Sequence, residues 1–476
     1  MKILLIQPPW AEVYGEYKRA ARVGVLNPPL GLCYLAGALQ EKGHLVKIID
    51  GEAEKKDINN IVEEISYDMP DIIGITSTTP LFHQAKELAT RIKEQANIPI
   101  VLGGPHITVL TDEAMQEGIC FDYGVYGEGE RTLTELVEKL GSGESIAEVE
   151  GILYREDRKI KKTKPRPLEV NLDTLPFPNR GLLKTGKYLW SVPGKGVVPF
   201  TSIMTTRGCP FQCIFCSAHA IFGKQVRYRT SENVLDEIED VVETLGIRHF
   251  CSLDDTLTFN KERIKNLCEG IIGRNIDITW EGWTRANTVD EDTLRLMKKA
   301  GLVRLSFGIE SGNARILKLI NKGVSKEQLV EAYKLVKKLG LETRGSAMIG
   351  HPYETRKTAM ETLNFVRGIK ECDQIYLNIA TPYPGTRLYE MAYSGEGGIK
   401  LLSKDYRKYR RYGNAVVEVN DLRREDLIKL QKKGLLIFYL TPRRIWYNLI
   451  RRAGIKAGIR NIVAFLKGIL SKTRRE

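Results

Sequence analysis

Hydrophobic residues in the first 140 positions occur in short runs that alternate with longer amphipathic stretches. Short apolar runs bounded by turn residues predict buried strands, and apolar residues spaced three or four apart predict helices. This alternation is typical of a doubly wound parallel sheet, an α/β fold. The predicted strands are 2–6, 45–49, 72–75, 98–102 and 122–125, and the predicted helices span about 30–42, 57–66, 81–95, 111–117 and 130–140.

The same strand-then-helix alternation restarts at residue 201 with a longer repeat. Six repeats predict a partial (β/α)6 barrel, in which reactive groups lie on the loops after the strands. The predicted strands are 201–206, 249–253, 278–281, 303–308, 342–349 and 374–379, with helices such as 231–244 and 325–339.

A predicted hairpin at 151–160 and a proline-bearing connector lie between the two patterns. We therefore expect four segments. They are a doubly wound domain at 1–145, a hairpin and linker at 146–200, the barrel at 201–400, and a basic, mostly helical region at 401–476.

Charge is concentrated at the carboxyl end of the chain. Of 72 Lys and Arg and 59 Asp and Glu in 476 residues, 20 and 6 fall in residues 401–476, which gives that region +14 and leaves the rest at about −1. A nearly neutral main body argues against a basic nucleic-acid groove through it, so we expect no nucleic-acid partner. The chain has no apolar run of membrane-spanning length and no signal-peptide pattern at its start, so we expect a cytoplasmic protein.

Three of the eight cysteines form a cluster, Cys209, Cys213 and Cys216, after the first predicted barrel strand. This C-x3-C-x2-C spacing can supply three thiolates to a four-iron cluster and leave the fourth iron open to a small molecule. A structural zinc site completed by His219 and a chance grouping of buried thiols are the alternatives.

The cysteine spacing, with Phe215 just before the last cysteine, resembles the signature of the radical S-adenosylmethionine superfamily. The resemblance covers about residues 201–390. It implies that the three cysteines bind a 4Fe-4S cluster and that S-adenosylmethionine chelates the open iron. It also implies that one electron cleaves the sulfonium to a 5'-deoxyadenosyl radical, which abstracts hydrogen from unactivated C–H bonds. Phe215 would lie beside the adenine.

Other residues at predicted strand ends match positions that this family uses for the cofactor. Asp254 and Asp255 follow the second strand, where the family contacts the methionine amine, although an Asp here can also cap the next turn. Arg285 follows the third strand and can pair with a carboxylate, or it can be a solvated surface residue. Glu310 ends the fourth strand, where a carboxylate can accept from the ribose hydroxyls.

Ser77 follows the third strand of the N-terminal domain, and Gly103 and Gly104 follow its fourth. With these residues at its strand ends, the domain resembles the cobalamin-binding module found before many such barrels. In a doubly wound sheet, ligands bind at these strand ends, and glycines permit a close approach to the backbone. The D-x-H-x-x-G signature that supplies histidine to cobalt does not occur, so we expect cobalamin without that ligand, with Trp10, Glu12 or Tyr14 near it. A flavodoxin-like shell is the alternative.

Residues 441–476 carry isoleucines and leucines mostly three or four apart, with basic residues such as Arg444 and Arg451 between them. Such a helix can lie on an anionic membrane at the inner face, with Trp446 in the headgroup layer, or can pack on its own barrel. The membrane interpretation favours a lipid-like small-molecule substrate.

These features together predict an anaerobic, cobalamin-dependent radical S-adenosylmethionine methyltransferase that acts on an unactivated carbon. An electron donor such as flavodoxin or ferredoxin would reduce its cluster. A ring-forming oxidative cyclase, resembling the anaerobic magnesium-protoporphyrin ester cyclases, is the first alternative. A methylthiotransferase needs three further N-terminal cysteines, whereas this domain has Cys33 and Cys120. A non-catalytic cobalamin-binding or membrane-surface protein would not need the three cluster ligands.

Overall fold

The computed structural model describes residues 1–11, 26–410 and 412–447. Five parallel strands at the amino end form a sheet in the order β2-β1-β3-β4-β5, with helices between them, so the predicted doubly wound fold is confirmed. The strands are β1 (Lys2–Gln7), β2 (Leu45–Asp50), β3 (Ile72–Thr76), β4 (Ile100–Gly103) and β5 (Tyr123–Val125). The helices are α1 (Leu30–Glu41), α2 (Ile58–Asp68), α3 (Phe82–Gln95), α4 (Pro105–Val109), α5 (Thr111–Glu117) and α6 (Gly129–Ser142).

Two hairpins follow this domain. Strands β6 (Ile152–Glu156) and β7 (Lys159–Lys162) form the predicted hairpin and extend the first sheet with antiparallel pairing beside β5. Strands β8 (Leu189–Val192) and β9 (Gly196–Pro199) form a second hairpin inside the segment expected to be an irregular connector. The alternation there is short and interrupted by glycines, so the local pattern does not predict strands.

The second sheet contains six parallel strands in chain order, as expected for a partial barrel. They are β10 (Thr201–Ile203), β13 (His249–Ser252), β14 (Thr279–Thr284), β15 (Leu302–Glu310), β16 (Glu342–Ile349) and β17 (Gln374–Ile379). Its helices are α7 (Ala218–Phe222), α8 (Ser231–Leu245), α9 (Lys261–Gly273), α10 (Glu291–Lys299), α11 (Ala314–Leu319), α12 (Lys326–Lys338), α13 (Arg356–Gly368) and α14 (Arg387–Ser394).

The first barrel strand is shorter than predicted. Strand β10 ends at Ile203, and residues 206–207 instead form β11 (Thr206–Arg207), which pairs antiparallel with β12 (Arg227–Tyr228). The Asp254 carboxylate accepts hydrogen bonds from the backbone N–H groups of Thr205 (2.7 Å) and Thr206 (2.8 Å), so these amides do not continue the parallel sheet. The sequence pattern alone does not indicate this long-range capture of backbone groups.

Most barrel helices begin at a polar residue whose side chain accepts a hydrogen bond from the third residue of the helix. This cap satisfies a backbone donor that has no partner within the helix, and it fixes where each loop after a strand ends. The capping residues are Thr230, Asn260, Asp290, Asn313, Ser325, Thr355 and Thr386.

A charged cluster fills the amino end of the barrel. Glu281 of β14 accepts from Arg344 (2.9 Å), from Arg304 and from the indole N–H of Trp190 on β8 (2.9 Å), and all three charged side chains are buried. Although burial opposes ionisation, the two guanidinium groups lower the pKa of Glu281 to about 2. The β8–β9 hairpin is therefore joined to the barrel interior through a carboxylate that stays charged.

The described part of the C-terminal region is mixed, with strands β18 (Ile399–Leu401) and β19 (Val417–Val419) and helices α15 (Arg424–Tyr439) and α16 (Pro442–Trp446). Arg444, expected on a solvated cationic face, is buried instead. Its guanidinium donates to the carbonyl oxygens of Cys372 (3.1 Å) and Ile369 (2.7 Å), which explains its burial. Most of the predicted amphipathic tail, residues 448–476, lies outside the described residues. None of the described helices has the length and apolar character needed to cross a membrane.

We expect Glu281→Gln to destabilise the barrel strongly, because it leaves the buried Arg344 guanidinium without its carboxylate partner. Removing one member of a buried ion pair costs about 3–5 kcal/mol. Thermal unfolding of the purified chain would measure this as a lower midpoint. The control is Glu291→Gln on α10, whose carboxylate pairs with Arg295 and Lys338 at the surface and should leave the midpoint almost unchanged. Equal midpoints for the two variants would contradict the role assigned to Glu281.

Candidate functional site

The carboxyl ends of the two parallel sheets meet at one cavity of about 410 Å³. One wall comes from loops after β1 and β3, the opposite wall from the ends of β16 and β17, and the remainder from the cysteine loop and the C-terminal region. Groups held by the two sheets can therefore reach the same space. The lining residues are Trp10, Thr78, Pro80, Leu81, Phe215, Met348, Asn378, Ile379, Thr381, Tyr383, Tyr409 and Arg410.

The three clustered cysteines lie on one loop, residues 208–226, which joins β11 to β12. Cys213 is buried, Cys209 and Cys216 are partly exposed, and all three are free thiols. The N–H of Cys216 donates to the carbonyl of Cys213 (3.1 Å), which makes the tight turn that carries the last two sulfur atoms. Burial, and then the neighbouring Asp255 carboxylate, raise the pKa of Cys216 to about 11. A bound metal would have to displace that proton.

Gly208 is required at the start of this loop. Its φ is +96°, and a Cβ atom there would lie 2.2 Å from the carbonyl oxygen of Gln225. A larger residue would therefore force the two ends of the loop apart.

The spacing of these thiols does not suit a single zinc ion. Tetrahedral zinc with bonds of about 2.3 Å places its sulfur ligands roughly 3.8 Å apart. Within the described residues, the one group of three His, Cys, Asp or Glu ligand atoms that lie within 4.8 Å of one another is His249, Cys251 and Glu281. That group already holds two guanidinium groups at Glu281. The three cysteine sulfur atoms do not form such a group, and a four-iron cluster needs only one sulfur at each of three irons.

Arg285 lies directly against the cysteine loop. Its guanidinium donates to the Cys213 sulfur (3.7 Å) and to the Lys322 carbonyl, and it stacks over the Phe211 ring at 3.7 Å from the ring centre. Its Nε–H is buried without a hydrogen-bond partner. The expected alternative of a solvated surface arginine does not describe this buried side chain.

Lys322 links Glu310 to Arg285. Its ammonium is 3.2 Å from the Glu310 carboxylate, and its backbone carbonyl accepts a hydrogen bond from Arg285. Glu310 has a φ of +61°, an unusual conformation for a residue with a side chain, and it follows an irregularity in the pairing of β15 with β16. A Cβ atom at Gly308 would collide with both charged groups of this pair. No sequence pattern predicts the role of Lys322, because its pairing depends on a loop that folds back over the strand.

The two aspartates after β13 have different surroundings. Asp254 is buried and uses its carboxylate to hold Thr205 and Thr206, just before the cysteine loop. Asp255 lies near the thiols of Cys209 and Cys216, and desolvation followed by the charge of Asp254 raises the pKa of Asp255 to about 6. Both aspartates therefore affect the cysteine loop. Asp254 holds the backbone that leads into the loop, and Asp255 places a carboxyl group near its thiols.

The residues predicted to contact cobalamin lie together at the carboxyl end of the first sheet. The N–H of Ser77 donates to the Gly103 carbonyl (2.9 Å), and the Ser77 hydroxyl donates to the Thr78 carbonyl (3.0 Å). Gly104, with φ +93°, packs so closely on Thr76 and Ser77 that a Cβ atom has no space, whereas Gly103 faces open space. None of these three predicted residues lines the cavity itself, but Trp10 does. Glu12 and Tyr14 lie outside the described residues.

The loop after β16 connects the two sides of the barrel site. The buried ring of His351 lies 6.0 Å from that of Phe215, and its Nε2 is 3.4 Å from the Glu310 carbonyl. Glu354 accepts from the backbone N–H groups of Gly350 and His351, while its other carboxylate oxygen is buried without a partner. Desolvation therefore raises the pKa of Glu354 to about 8, despite the two hydrogen bonds.

Models of two protein families match separate parts of the chain. The model of the B12 binding domain matches residues 18–137, and that of the Radical SAM superfamily matches residues 203–366. An uncharacterized methyltransferase of Pyrococcus horikoshii is 39% identical over 97% of this chain and 98% of its own length. The anaerobic magnesium-protoporphyrin IX monomethyl ester cyclase of Rubrivivax gelatinosus is 30% identical over 94% of this chain and 79% of its own length.

A solved structure has the same fold. The radical S-adenosylmethionine methyltransferase TsrM of Kitasatospora setae, with cobalamin and a [4Fe-4S] cluster bound, aligns with a TM-score of 0.74 and 18% identity over 98% of both chains. At this identity the likeness establishes the arrangement of the two sheets and no more.

We expect Glu354 to make the stability of the chain depend on pH. Its carboxyl group keeps a proton up to about pH 8 in the folded state but loses it near 4.5 when unfolded, so stability falls as pH rises through this interval, by at most about 1.4 kcal/mol per unit. Glu354→Gln should remove this contribution. Unfolding midpoints at pH 5.5 and 7.5 would then differ less in the variant than in the parent chain. An equal pH dependence in both proteins would contradict the raised pKa of Glu354.

Proposed function

Because the chain belongs to the family of radical S-adenosylmethionine enzymes that carry a B12-binding domain, we propose that it methylates an unactivated carbon of a small molecule. The cofactors of the enzyme are a 4Fe-4S cluster, S-adenosylmethionine and cobalamin. The observation that carries the proposal is the cavity lined from both sheets, because a substrate there is within reach of both cofactor-binding domains.

In this proposal Cys209, Cys213 and Cys216 each hold one iron, and the fourth iron stays open. When bound, the cluster and S-adenosylmethionine supply a 5'-deoxyadenosyl radical and cobalamin supplies the methyl group. Phe215 lines the cavity next to the last cysteine and offers a flat apolar surface to the adenine. Arg285 donates to the Cys213 sulfur and balances part of the negative charge that three thiolates bring.

Glu310 and Asp255 contribute carboxylates on the same side of the barrel. We assign Glu310 to the ribose hydroxyls, since Lys322 holds its carboxylate in place without saturating both oxygen atoms. Asp255 is assigned to the methionine amine because it is the aspartate nearer the cluster thiols. Asp254 holds the segment just before the loop, by accepting hydrogen bonds from the backbone N–H groups of Thr205 and Thr206.

On the opposite wall, Ser77, Gly103 and Gly104 are assigned to the nucleotide tail of cobalamin. The sequence lacks the D-x-H-x-x-G signature, so we assign the cobalt no histidine ligand from that motif. His106, the histidine after β4, is packed between the rings of Phe82 (4.1 Å) and Tyr406 (5.4 Å), and burial lowers its pKa to about 4. These ring contacts favour a structural role for His106. Trp10, at the cavity wall, is the side chain we place near the corrin ring.

The walls of the cavity favour a substrate with a large apolar surface. Trp10, Met348, Tyr383 and Tyr409 give it an apolar and aromatic lining, and Arg410 adds a cation at its edge. Such a lining suits an apolar body that carries an anionic group. The magnesium-protoporphyrin ester named for the Rubrivivax relative is also a large apolar ring, which makes ring formation the second candidate function.

Delivery of electrons and substrate completes the proposal. We assign reduction of the cluster to a small electron-transfer protein such as flavodoxin or ferredoxin in the cytoplasm, because the radical chemistry consumes one electron at the cluster. Contact with the inner face of the membrane through residues 441–476 would suit a lipid-like substrate, and Trp446 is exposed as such contact requires.

The proposal predicts two nucleoside products. Anaerobic chain reconstituted with iron, sulfide and hydroxocobalamin, then supplied with S-adenosylmethionine, a low-potential reductant and substrate, should form 5'-deoxyadenosine and S-adenosylhomocysteine in equal amounts with a methylated substrate. Cys213→Ala should abolish both and lower the iron content, whereas Cys268→Ala, a buried cysteine elsewhere in the barrel, should retain both. Deoxyadenosine without S-adenosylhomocysteine would favour ring formation. Full iron content and activity in Cys213→Ala would refute the ligand assignment.

A further inference from the structure

The loop that carries the cysteines has a very short stem. Strands β11 and β12 pair through only two residues each, Thr206 with Tyr228 and Arg207 with Arg227. Both residues of the second pair are arginines, their side chains are 95% buried, and Arg207 lies two residues before Cys209. A two-residue hairpin has little stability by itself, so other contacts must fix the position of the loop.

Those contacts come from the N-terminal domain. The Glu128 carboxylate accepts from Arg207 through Oε1 (2.9 Å) and from Arg227 through Oε2 (2.9 Å), so one side chain bridges both strands of the stem. Glu130 accepts from the other terminal nitrogen of Arg207 (2.5 Å). Glu128 precedes α6 and Glu130 lies in its first turn, where the helix dipole also favours negative charge.

Because these ion pairs are buried, separating them costs free energy. Both carboxylate side chains are only 9% exposed, so neither partner can exchange the other for water at low cost. Although burial opposes ionisation, hydrogen bonds from Arg227 and the charge of Arg207 lower the pKa of Glu128. The Arg207 guanidinium also lies 5.3 Å from the ring of Tyr34 on α1 and 5.9 Å from that of Phe222 in the cysteine loop. The contact therefore combines charge, hydrogen bonds and stacking.

We propose that Glu128 and Glu130 are positioning residues that tie the stem of the cysteine loop to the cobalamin-binding domain and thereby fix the distance between the cluster and cobalt. This inference rests on the cofactor assignment of the proposed function. Neither glutamate touches the reacting atoms in this account. Each acts through Arg207, and Glu128 acts also through Arg227.

The first test needs no cofactor. Hydrogen exchange in the full chain should be about tenfold faster over residues 208–226 in the Glu128→Gln/Glu130→Gln double variant, because the stem loses its ionic partners. The matched control is Asp373→Asn, which removes a buried carboxylate that pairs with Lys337 on the far side of the barrel. That variant should leave exchange in the loop unchanged. Equal exchange rates in the double variant and the parent chain would overturn the proposal.

The second test measures the distance itself. Dipolar electron paramagnetic resonance between cob(II)alamin and the reduced cluster should give one narrow distance distribution in the parent chain and a distribution at least about twofold broader in the double variant. Because small displacements of reacting groups cost large factors in rate, S-adenosylhomocysteine formed per deoxyadenosine should fall about tenfold. If the double variant does not fold, Glu130→Gln alone keeps the bridge through Glu128 and should give a smaller broadening.

The outcomes separate the two proposals. A parent chain that forms no S-adenosylhomocysteine would refute methyl transfer, while the exchange and distance measurements would still decide the role of the glutamates. Arg207→Lys keeps the positive charge but replaces the planar guanidinium fork with a compact ammonium that cannot reproduce its hydrogen-bond geometry, so it should broaden the distribution as the double variant does. A narrow distribution in Arg207→Lys and in the double variant would refute the positioning role.

Discussion

Two parallel sheets face each other with their carboxyl ends, and the chemistry proposed here depends on that arrangement. In each sheet the strands deliver their following loops to one edge, so side chains far apart in sequence, such as Trp10 and Phe215, line the same cavity. A cofactor held at the end of one sheet is thereby placed next to the loops of the other sheet. The relative position of the two sheets is thus the quantity that the structure must control.

Buried ionic contacts provide that control at two levels. Glu281 joins the β8–β9 hairpin to the barrel interior through Trp190 and two arginines, and Glu128 with Glu130 joins the first domain to the cysteine loop. A buried ion pair adds little net stability compared with apolar packing, but it strongly penalises geometries that separate its partners. Such pairs are suited to fixing a distance, whereas apolar surfaces can slide.

The sequence predicted the parts of this site that repeat or that carry distinctive chemistry. Both parallel folds follow from the spacing of apolar runs. The cysteine spacing, together with Phe215, predicted that the loop after the first barrel strand carries the cluster ligands. The comparisons confirm the family. Arg285 donates to the Cys213 sulfur, and its place near the cluster stays a prediction.

The remainder depends on contacts between residues distant in sequence. Lys322 reaches Glu310, Glu130 reaches Arg207, and Arg444 is buried against backbone carbonyls, and none of these partners can be read from local patterns. Likewise the early end of β10 results from Asp254, some fifty residues later, which accepts the strand's next amides. A single sequence specifies which residues can ionise, but the fold decides which of them meet.

The most direct test of the central claim is electron paramagnetic resonance of the anaerobically reconstituted, reduced chain with and without S-adenosylmethionine. We expect four irons per chain and a cluster signal that changes when S-adenosylmethionine binds, since one iron has no protein ligand. A chain that holds zinc instead, or a cluster signal that the cofactor leaves unchanged, would contradict it.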